Sequence, residues 1–280
     1  MRFGCPSVTP YLDVERLEER VLPAKYTLTP VVPAFDSPSV ARLSEVFQRG
    51  QALGNRANVF TRAGDSITST PDFLVPLRAP SAADAVGDGA LADTLACFRA
   101  GRIGADNSFA NPSTAARGGW TSADVLAHLP GELAAAKPAF VLVMVGTNDL
   151  SLGVPADAYR QHLSLIAQTA LNAGVVPVLS TLPDIPLYPA AQARQPEFNQ
   201  IVQDVGEATG VPVWNYWRAL QDLQNAGISA DGVHPGVGSG GAADFSAGGL
   251  NFGYNVRNLT ALQTLDVLRR AVVLGQPGLS

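Results

Sequence analysis

The stretch Ala139-Phe-Val-Leu-Val-Met-Val145, followed at once by Gly146-Thr-Asn-Asp149, decides the fold of this chain. Seven apolar residues in a row, without the alternation of a strand that has one solvated face, predict a central strand that is buried on both faces. Further strands are predicted at 58–63 and 175–180, with a short last strand at 211–215. Because helices of roughly 10–18 residues alternate with these strands, the predicted fold class is α/β, a parallel sheet with helices on both faces.

The predicted helices follow the spacing of apolar residues that is typical of one buried helix face. The closing helix is predicted to be amphipathic, with Leu262, Leu265 and Leu268 on its inner face. Residues 70–112 have little pattern apart from some helix near 90–99, so a lid on the substrate side and an ordinary surface excursion both stay open. The predicted helices span 39–53, 121–129, 155–173, 197–209 and 259–273.

Composition limits the classes of protein to which the chain can belong. Its 280 residues, 46% of them hydrophobic, suit one α/β domain and a tail. No apolar run approaches the roughly 18 residues that a transmembrane helix needs. The net charge is −5 and Lys25 and Lys137 are the only lysines, so no basic stripe predicts nucleic acid as a partner. Cys5 and Cys97 are not in a CxxC pair, so no zinc site is indicated.

Residues 1–35 differ from the rest and are predicted to be an N-terminal leader and linker, with the globular domain at 36–280. The stretch from Tyr11 to Ala24 is charged and lacks the apolar centre of a signal peptide. It resembles the leader of many exported proteins of planctomycete-type bacteria, which implies export or a cell-surface location. The alternative is a short amphipathic helix and a linker in a cytoplasmic protein.

One of the three histidines is a candidate general base. His128 and His162 lie inside predicted helices, where a packed or surface histidine is the simpler interpretation. His234 instead follows a glycine-containing turn, with Asp231 three residues upstream. One turn of loop can bring the Asp231 carboxylate to Nδ1 of the imidazole, which leaves Nε2 free to accept a proton.

The string Gly64-Asp-Ser-Ile67 places Ser66 at the exit of the first strand. A serine hydroxyl becomes a nucleophile when a base takes its proton, although Ser66 could equally be a helix N-cap. Asn148 follows the central strand and offers a side-chain amide, and Gly119 offers a backbone N–H before a helix. With the N–H of Ser66, these groups are candidate donors to an oxyanion; the alternatives are a turn asparagine and a loop glycine. Ligands of such sheets bind outside the carboxyl ends of the strands, where these residues are expected to meet.

The string Gly236-Val-Gly-Ser-Gly-Gly241 matches the GxGxxG pattern of dinucleotide-binding folds. It lies near the C-terminus, after a His-Pro loop instead of a first strand, and no clear helix follows it. A flexible glycine loop beside the site is the better interpretation.

With these residues in view, the chain resembles the SGNH hydrolases of the GDSL lipase/esterase superfamily. Ser66 stands in the nucleophile position of the first sequence block of that family, and Gly119 in the position of the backbone oxyanion donor of the second. Asn148 lies in a close match to the third block, as the side-chain donor. Asp231 and His234 match the fifth block, which completes the catalytic triad.

The resemblance implies a three-layer α/β/α sandwich of flavodoxin-like type around a five-stranded parallel sheet, without metal or cofactor. It implies a serine ester hydrolase, an esterase or lipase, that acts on a small-molecule or carbohydrate ester through an acyl-serine intermediate. The alternatives are a non-catalytic glycan-binding surface protein and an acyltransferase. Two departures from the family leave the pocket shape open: Arg62 replaces an apolar residue of the first strand, and residues 236–253 are longer and richer in glycine than usual.

Overall fold

The computed structural model of the chain describes residues 24–79, 86 and 89–276. Most of the predicted leader and linker, residues 1–23, therefore lies outside the described part, as do residues 80–85 and 87–88 of the region without clear pattern. Among the described helices, none combines the length and the apolar character that crossing a bilayer requires.

A parallel sheet forms the middle of the described part. Its strands are β1 (Arg56–Gly64), β4 (Pro138–Met144), β5 (Val176–Ser180) and β6 (Val213–Trp214), and a separate hairpin consists of β2 (Arg102–Ile103) and β3 (Asp106–Asn107). The order in the sheet is β1-β4-β5-β6, and all neighbouring strands are parallel. Every residue of β4 is buried, as the apolar run predicts for a strand covered on both faces.

The prediction of five strands is wrong, because the described residues form a sheet of four. Where a fifth strand would flank β1, only an isolated bridge joins Gly64 and Ala116. Before this bridge, the Thr114 N–H donates to the buried Glu132 carboxylate at 2.8 Å instead of to a strand. After it, Gly119 turns the chain away with a φ of +83°. A side-chain acceptor and a glycine turn thus limit the pairing to one residue.

Helices cover both faces of the sheet and complete the predicted three-layer α/β/α sandwich. The helices are α1 (Lys25–Leu28), α2 (Ser37–Ala52), α3 (Ser66–Ser69), α4 (Ala90–Ala100), α5 (Ser122–Ala136), α6 (Thr147–Ser151), α7 (Ala156–Asn172), α8 (Pro189–Thr209), α9 (Tyr216–Leu220) and α10 (Gly253–Leu268). Helices α5, α7 and α8 pack side by side on one face, and α2, α4 and α10 form the layer on the other. A π-helical turn at Arg269–Val273 continues α10.

Two helices begin where side chains satisfy the free N–H groups of the first turn. The Asp36 carboxylate accepts from the Ser39 N–H at 2.9 Å at the start of α2. At the start of α5 the Asp124 carboxylate accepts from the N–H and the hydroxyl of Thr121, at 2.8 and 2.7 Å. Thr121 is the N-cap residue of α5 and forms a capping box with Asp124.

Helix α8 begins eight residues before the predicted start at 197, and Pro196 lies inside it. Proline removes one helix hydrogen bond and is normally a reason to end a helix. Here the turn before Pro196 is anchored by tertiary contacts: the Gln195 amide donates to the Leu182 carbonyl at 2.9 Å, and Ala191 is buried. Packing therefore outweighs the local preference.

Helix α10 also begins earlier than predicted, at Gly253 instead of 259, and it is not amphipathic. Leu262, Leu265 and Leu268 do face the core, but 13 of the 16 residues of the helix are buried. Polar side chains of its first turns, which precede the predicted start at 259, are buried against segments at the carboxyl edge of the sheet.

The described part of residues 70–112 is neither a lid nor a surface excursion. Phe73, Leu77, Phe98 and Phe109 are all buried in the main core. The Phe98 ring contacts the Phe60 ring of β1 edge to face, with centroids 5.2 Å apart. This segment supplies one side of the core against β1.

Residues 24–35, predicted to be the end of the leader and linker, pack on the body of the protein. Tyr26 is buried, and its ring meets the Trp217 ring edge to face with centroids 4.9 Å apart. The Asn215 amide donates to the carbonyl of Thr29 at 3.0 Å. The domain boundary at residue 36 stays a prediction.

Candidate active site

The first element of the site is the turn from β1 into α3, which presents Ser66. Gly64 ends β1 beside Met144 of β4, and a Cβ at Gly64 would lie 2.0 Å from the Met144 carbonyl oxygen. The Asp65 carboxylate then accepts from the Ile67 N–H at 3.1 Å and caps α3. Ser66 is the first residue of this helix and is partly exposed. The close approach of two strands thus explains the glycine, and the cap fixes the serine at a helix start.

The second element is the loop from Ser229 to His234, which brings an imidazole to Ser66. Nε2 of His234 lies 2.9 Å from Oγ of Ser66, and Nδ1 lies 2.7 Å from Oδ2 of Asp231. The second carboxylate oxygen of Asp231 accepts from the N–H groups of Val233 and His234, at 2.9 and 2.8 Å. The structure therefore brings the three residues of the predicted triad together in the predicted order of contacts.

The hydrogen bonds around Asp231 favour its ionised form, although its side chain is 50% exposed. Partial burial works against ionisation, but the N–H groups of Val233 and His234, the His234 ring and the Ser229 hydroxyl all donate to the carboxylate. Together they hold the pKa of Asp231 far below its ordinary value. A carboxylate that stays ionised keeps a proton on Nδ1 of His234 and leaves Nε2 as the acceptor towards Ser66.

The third element brings the two predicted oxyanion donors together. The side-chain amide of Asn148 donates to the Trp120 carbonyl at 2.9 Å, a bond that uses one of its two N–H groups. Trp120 follows Gly119 directly, so this bond fixes the amide to the loop that carries the predicted backbone donor. The same loop passes beside the serine, because a Cβ at Gly118 would lie 3.7 Å from the Ser66 Cβ.

A buried polar network that the sequence analysis missed joins these two segments from behind. The Asp149 carboxylate, next to Asn148, accepts from the N–H of Ser122 at 2.9 Å and also from its hydroxyl. Nδ1 of His162 lies 3.0 Å from the Ser122 hydroxyl, so His162 is packed against a partner, as a helix histidine was expected to be. Burial raises the pKa of Asp149, although the Ser122 bonds oppose that shift. In the sequence, the acidic residue directly after Asn148 was the available sign of this buried network.

The acidic residue before the nucleophile is also buried. Asp65 is inaccessible to solvent, and burial raises its pKa to about 6 against the opposing effect of the Ile67 N–H. Its position in the Gly-Asp-Ser string gave no sign of this burial.

The glycine-rich segment after His234 is held in place by α10. The Gly238 N–H donates to the Asn255 side chain at 3.3 Å, and the Asn255 amide donates to the Gly241 carbonyl at 2.8 Å. No strand precedes the segment, which begins after Pro235 and runs to a short 3-10 turn before α10. This setting is not that of a dinucleotide-binding loop, and the flexibility of the segment stays a prediction.

Exposed apolar side chains flank the site. Leu152, 71% exposed, lies four residues after Asn148, and its N–H donates to the Asn148 carbonyl at 2.9 Å. Leu187, 52% exposed, donates its N–H to the Gly232 carbonyl at 3.0 Å, directly against the Asp231–His234 loop. Phe252 packs on the glycine-rich segment beyond His234, where a Cβ at Gly238 would lie 3.0 Å from its ring. An apolar rim of this kind offers a surface to an uncharged part of a ligand.

Comparison with known proteins agrees with this fold. The sequence profile of the GDSL-like lipase/acylhydrolase family matches residues 63–237, a range that includes Ser66, Asn148 and His234. The match extends over well over half of the chain, and the protein belongs to this family. The family and the fold class predicted from the sequence are thereby confirmed. A comparison with curated proteins finds no match.

Solved structures share the fold at low sequence identity. The lipase/acylhydrolase from Enterococcus faecalis has a TM-score of 0.52 and 23% identity over 74% of this chain and 95% of that chain. A GDSL-like lipase from Bacteroides thetaiotaomicron has a TM-score of 0.51 and 18% identity over 81% of this chain and 98% of its own. TesA has a TM-score of 0.51 and 24% identity over 74% and 97% of the two chains. At these identities the likeness shows a common fold.

Proposed function

We propose that this protein hydrolyses a carboxylic ester through an acyl-serine intermediate on Ser66. The observation that carries the proposal is the position of the His234 imidazole, which lies 2.9 Å from the Ser66 hydroxyl and 2.7 Å from the Asp231 carboxylate. A base that contacts both a hydroxyl and an orienting carboxylate is the arrangement that nucleophilic acyl transfer requires.

In the proposed reaction, Ser66 Oγ attacks the acyl carbon while Nε2 of His234 takes the hydroxyl proton. The tetrahedral intermediate collapses, the bond to the alcohol oxygen breaks, and His234 returns the proton to the leaving alcohol. Water, deprotonated by His234, then attacks the acyl carbon of the acyl-serine. The bond to Ser66 Oγ breaks, the acid is released, and His234 returns the proton to Oγ. Asp231 keeps the imidazole in the required tautomer and stabilises the imidazolium that forms in each half.

We assign the oxyanion to three donors: the N–H groups of Ser66 and Gly119 and the side-chain amide of Asn148. The Trp120 carbonyl supports this assignment because it fixes the Asn148 amide next to Gly119 without occupying its second N–H. Donors that are set before the reaction lower the barrier, because no reorganisation is needed as charge develops on the substrate oxygen.

The substrate class within the esters is open to a direct test. A small-molecule ester and a carbohydrate ester are both compatible with a site at the edge of the sheet, and the exposed Leu152, Leu187 and Phe252 favour an ester with an apolar part. A panel of p-nitrophenyl esters from acetyl to long acyl, together with acetylated sugars, separates these substrates. Addition of an alcohol acceptor, followed by product analysis, distinguishes hydrolysis from acyl transfer.

Substitution of the nucleophile tests the proposed reaction. Ser66→Ala is expected to abolish hydrolysis of p-nitrophenyl acetate, because no other hydroxyl contacts Nε2 of His234 in the described part. Ser69→Ala, an exposed serine in the same helix, is the matched control and should retain full activity. A Ser66→Ala protein that still turns over the ester would refute the acyl-serine route. Glycan binding by a wild-type protein without esterase activity would support the non-catalytic alternative instead.

A further inference from the structure

Helix α3, which carries Ser66, has only four residues and depends on other parts of the chain for its position. A helix of one turn is not stable by itself, and the carbonyl groups at its end lack partners within the helix. The Ile67 carbonyl of α3 points to α10, where it accepts from the Arg257 guanidinium and from the Tyr254 hydroxyl, the latter at 3.4 Å.

The Arg257 side chain donates hydrogen bonds to more than one atom of α3. Besides the bond to the Ile67 carbonyl, Nη2 donates to Oγ1 of Thr68 at 3.1 Å and lies 3.5 Å from Sδ of Met144. Thr68 in turn donates to the Met144 carbonyl at 3.3 Å, the strand end beside Gly64. The guanidinium therefore connects the nucleophile helix to the end of β4, from which Asn148 projects a few residues later.

The guanidinium is fixed by a set of aromatic rings. Arg257 is 1% exposed, and its central carbon lies 3.6 Å from the centroid of the Phe73 ring. The rings of Tyr216 and Trp214 lie at 5.6 and 5.9 Å. Stacking of this kind stabilises a buried cation and leaves the planar donors of arginine directed at their acceptors.

The next polar residue of α10 joins the chain after the nucleophile to the chain after the base. The Asn258 amide donates to the Asp72 carbonyl at 2.8 Å and to the Ala242 carbonyl at 2.9 Å. Its oxygen accepts from the N–H of Leu74 at 2.7 Å. The buried polar side of α10 thus holds both segments that must meet for Ser66 to contact His234.

We propose that Arg257 is a positioning residue that holds α3 at the angle from which Ser66 reaches both His234 and the acyl carbon. The expected effect on kcat rests on the proposed function, whereas the expected effect on the position of α3 does not. A displacement of about 1 Å at a reacting atom can cost roughly 100-fold in rate. Loss of the Arg257 bonds is therefore expected to slow the chemical step, not only to weaken the fold.

The test compares Arg257→Met and Arg257→Lys with Arg62→Met. Arg62 is the matched control, because it is 4% exposed and also donates to backbone carbonyls, those of Phe73, Phe109 and Asn111, but donates no hydrogen bond to α3. In folded protein, Arg257→Met is expected to lower kcat for p-nitrophenyl acetate by about 10- to 100-fold with little change in KM. Arg257→Lys should recover part of the loss, and Arg62→Met should lower Tm while kcat stays within about threefold of wild type.

Hydrogen exchange supplies a readout that does not need activity. Amides of residues 66–69 should exchange faster in Arg257→Met than in wild type, and not in Arg62→Met. The proposal would be overturned if a folded Arg257 variant had the wild-type exchange rate at residues 66–69 and an unchanged kcat. Equal losses of kcat in Arg257→Met and Arg62→Met would also overturn it. If Arg257→Met does not fold, Arg257→Lys decides by the same two measurements. Turnover by Ser66→Ala would contradict the proposed function, whereas hydrogen exchange in α3 tests the role of Arg257. The two failures can therefore be told apart.

Discussion

At the scale of single residues, hydrogen bonds favour the ionised form of one acidic residue in the candidate site, whereas burial disfavours the ionised form of another. Asp231 is half exposed, yet four donors from its own loop favour the carboxylate. Asp65, one residue before the nucleophile, is fully buried and has the opposite shift, with a pKa of about 6. Two acidic residues of one site thus have their pKa values moved in opposite directions by their surroundings.

The first residue-scale prediction concerns the amide of the oxyanion site. Asn148→Ala removes the side-chain donor, and kcat for p-nitrophenyl acetate should fall by about 100- to 1,000-fold with little change in KM, because the lost bond forms with charge that develops only in the transition state. Asn172→Ala, an exposed asparagine at the end of α7, is the control. An unchanged kcat in Asn148→Ala would show that another group holds the oxyanion.

The second residue-scale prediction is a pH dependence of stability from Asp65. Its pKa is about 6 in the folded protein and 3.8 ordinarily, so the unfolded chain releases this proton first as pH rises. Stability is therefore lost between about pH 4 and pH 6, by about 3 kcal/mol, and stays lower above that range. Asp65→Asn cannot ionise and should not show this loss.

The measurement is the free energy of unfolding of wild type and Asp65→Asn by urea titration at several pH values. The difference between the two proteins should change by about 3 kcal/mol from pH 4 to pH 7, in favour of the variant as pH rises. A difference that is constant with pH would mean that Asp65 does not carry the shift. Other titrating groups are common to both proteins and cancel.

At the scale of elements, the close contact of β1 and β4 restricts Gly64, two residues before Ser66. Gly64→Ala places a methyl group 2.0 Å from the Met144 carbonyl oxygen. Such a clash forces the strands apart, so we expect a loss of about 2–3 kcal/mol or more in the free energy of unfolding. Gly131→Ala, in the interior of α5 with open space around it, should be neutral or stabilising by about 0.5–1 kcal/mol. Thermal and urea unfolding of both variants checks this, and equal stability of the two would contradict the packing argument.

The elements also show what the sequence could and could not predict. The central strand and the turns after β1 and β4 follow from apolar continuity and local turn residues, and they lie where predicted. The start of α8 was missed because contacts of Gln195 and its neighbours, which no local pattern records, carry the helix through Pro196. The first turns of α10 were not predicted, because their polar side chains are stabilised by carbonyl groups of the preceding loop, which no local pattern records.

At the scale of the whole molecule, one topological rule explains how residues 66, 148 and 234 come together. Parallel strands β1 and β4 end at the same edge of the sheet, which places Ser66 and Asn148 side by side. The loop with His234 reaches that edge between α9 and α10, and the glycine-rich segment that follows it is anchored on α10 by the Asn255 side chain. The predicted site residues could be identified from sequence motifs and their order, whereas Arg257 and Glu132 act through buried contacts that only the fold reveals.

Activation of the Ser66 hydroxyl by His234 can be measured as the rate at which the protein reacts with a fluorophosphonate. Intact-protein mass spectrometry of the wild type should show one stoichiometric phosphonyl adduct, and peptide mapping should locate it at Ser66. His234→Ala should react far more slowly, while His128→Ala, which alters an exposed ring stacked on Trp120, should react at close to the wild-type rate. No adduct, an adduct on another residue, or an undiminished rate in His234→Ala would contradict the account.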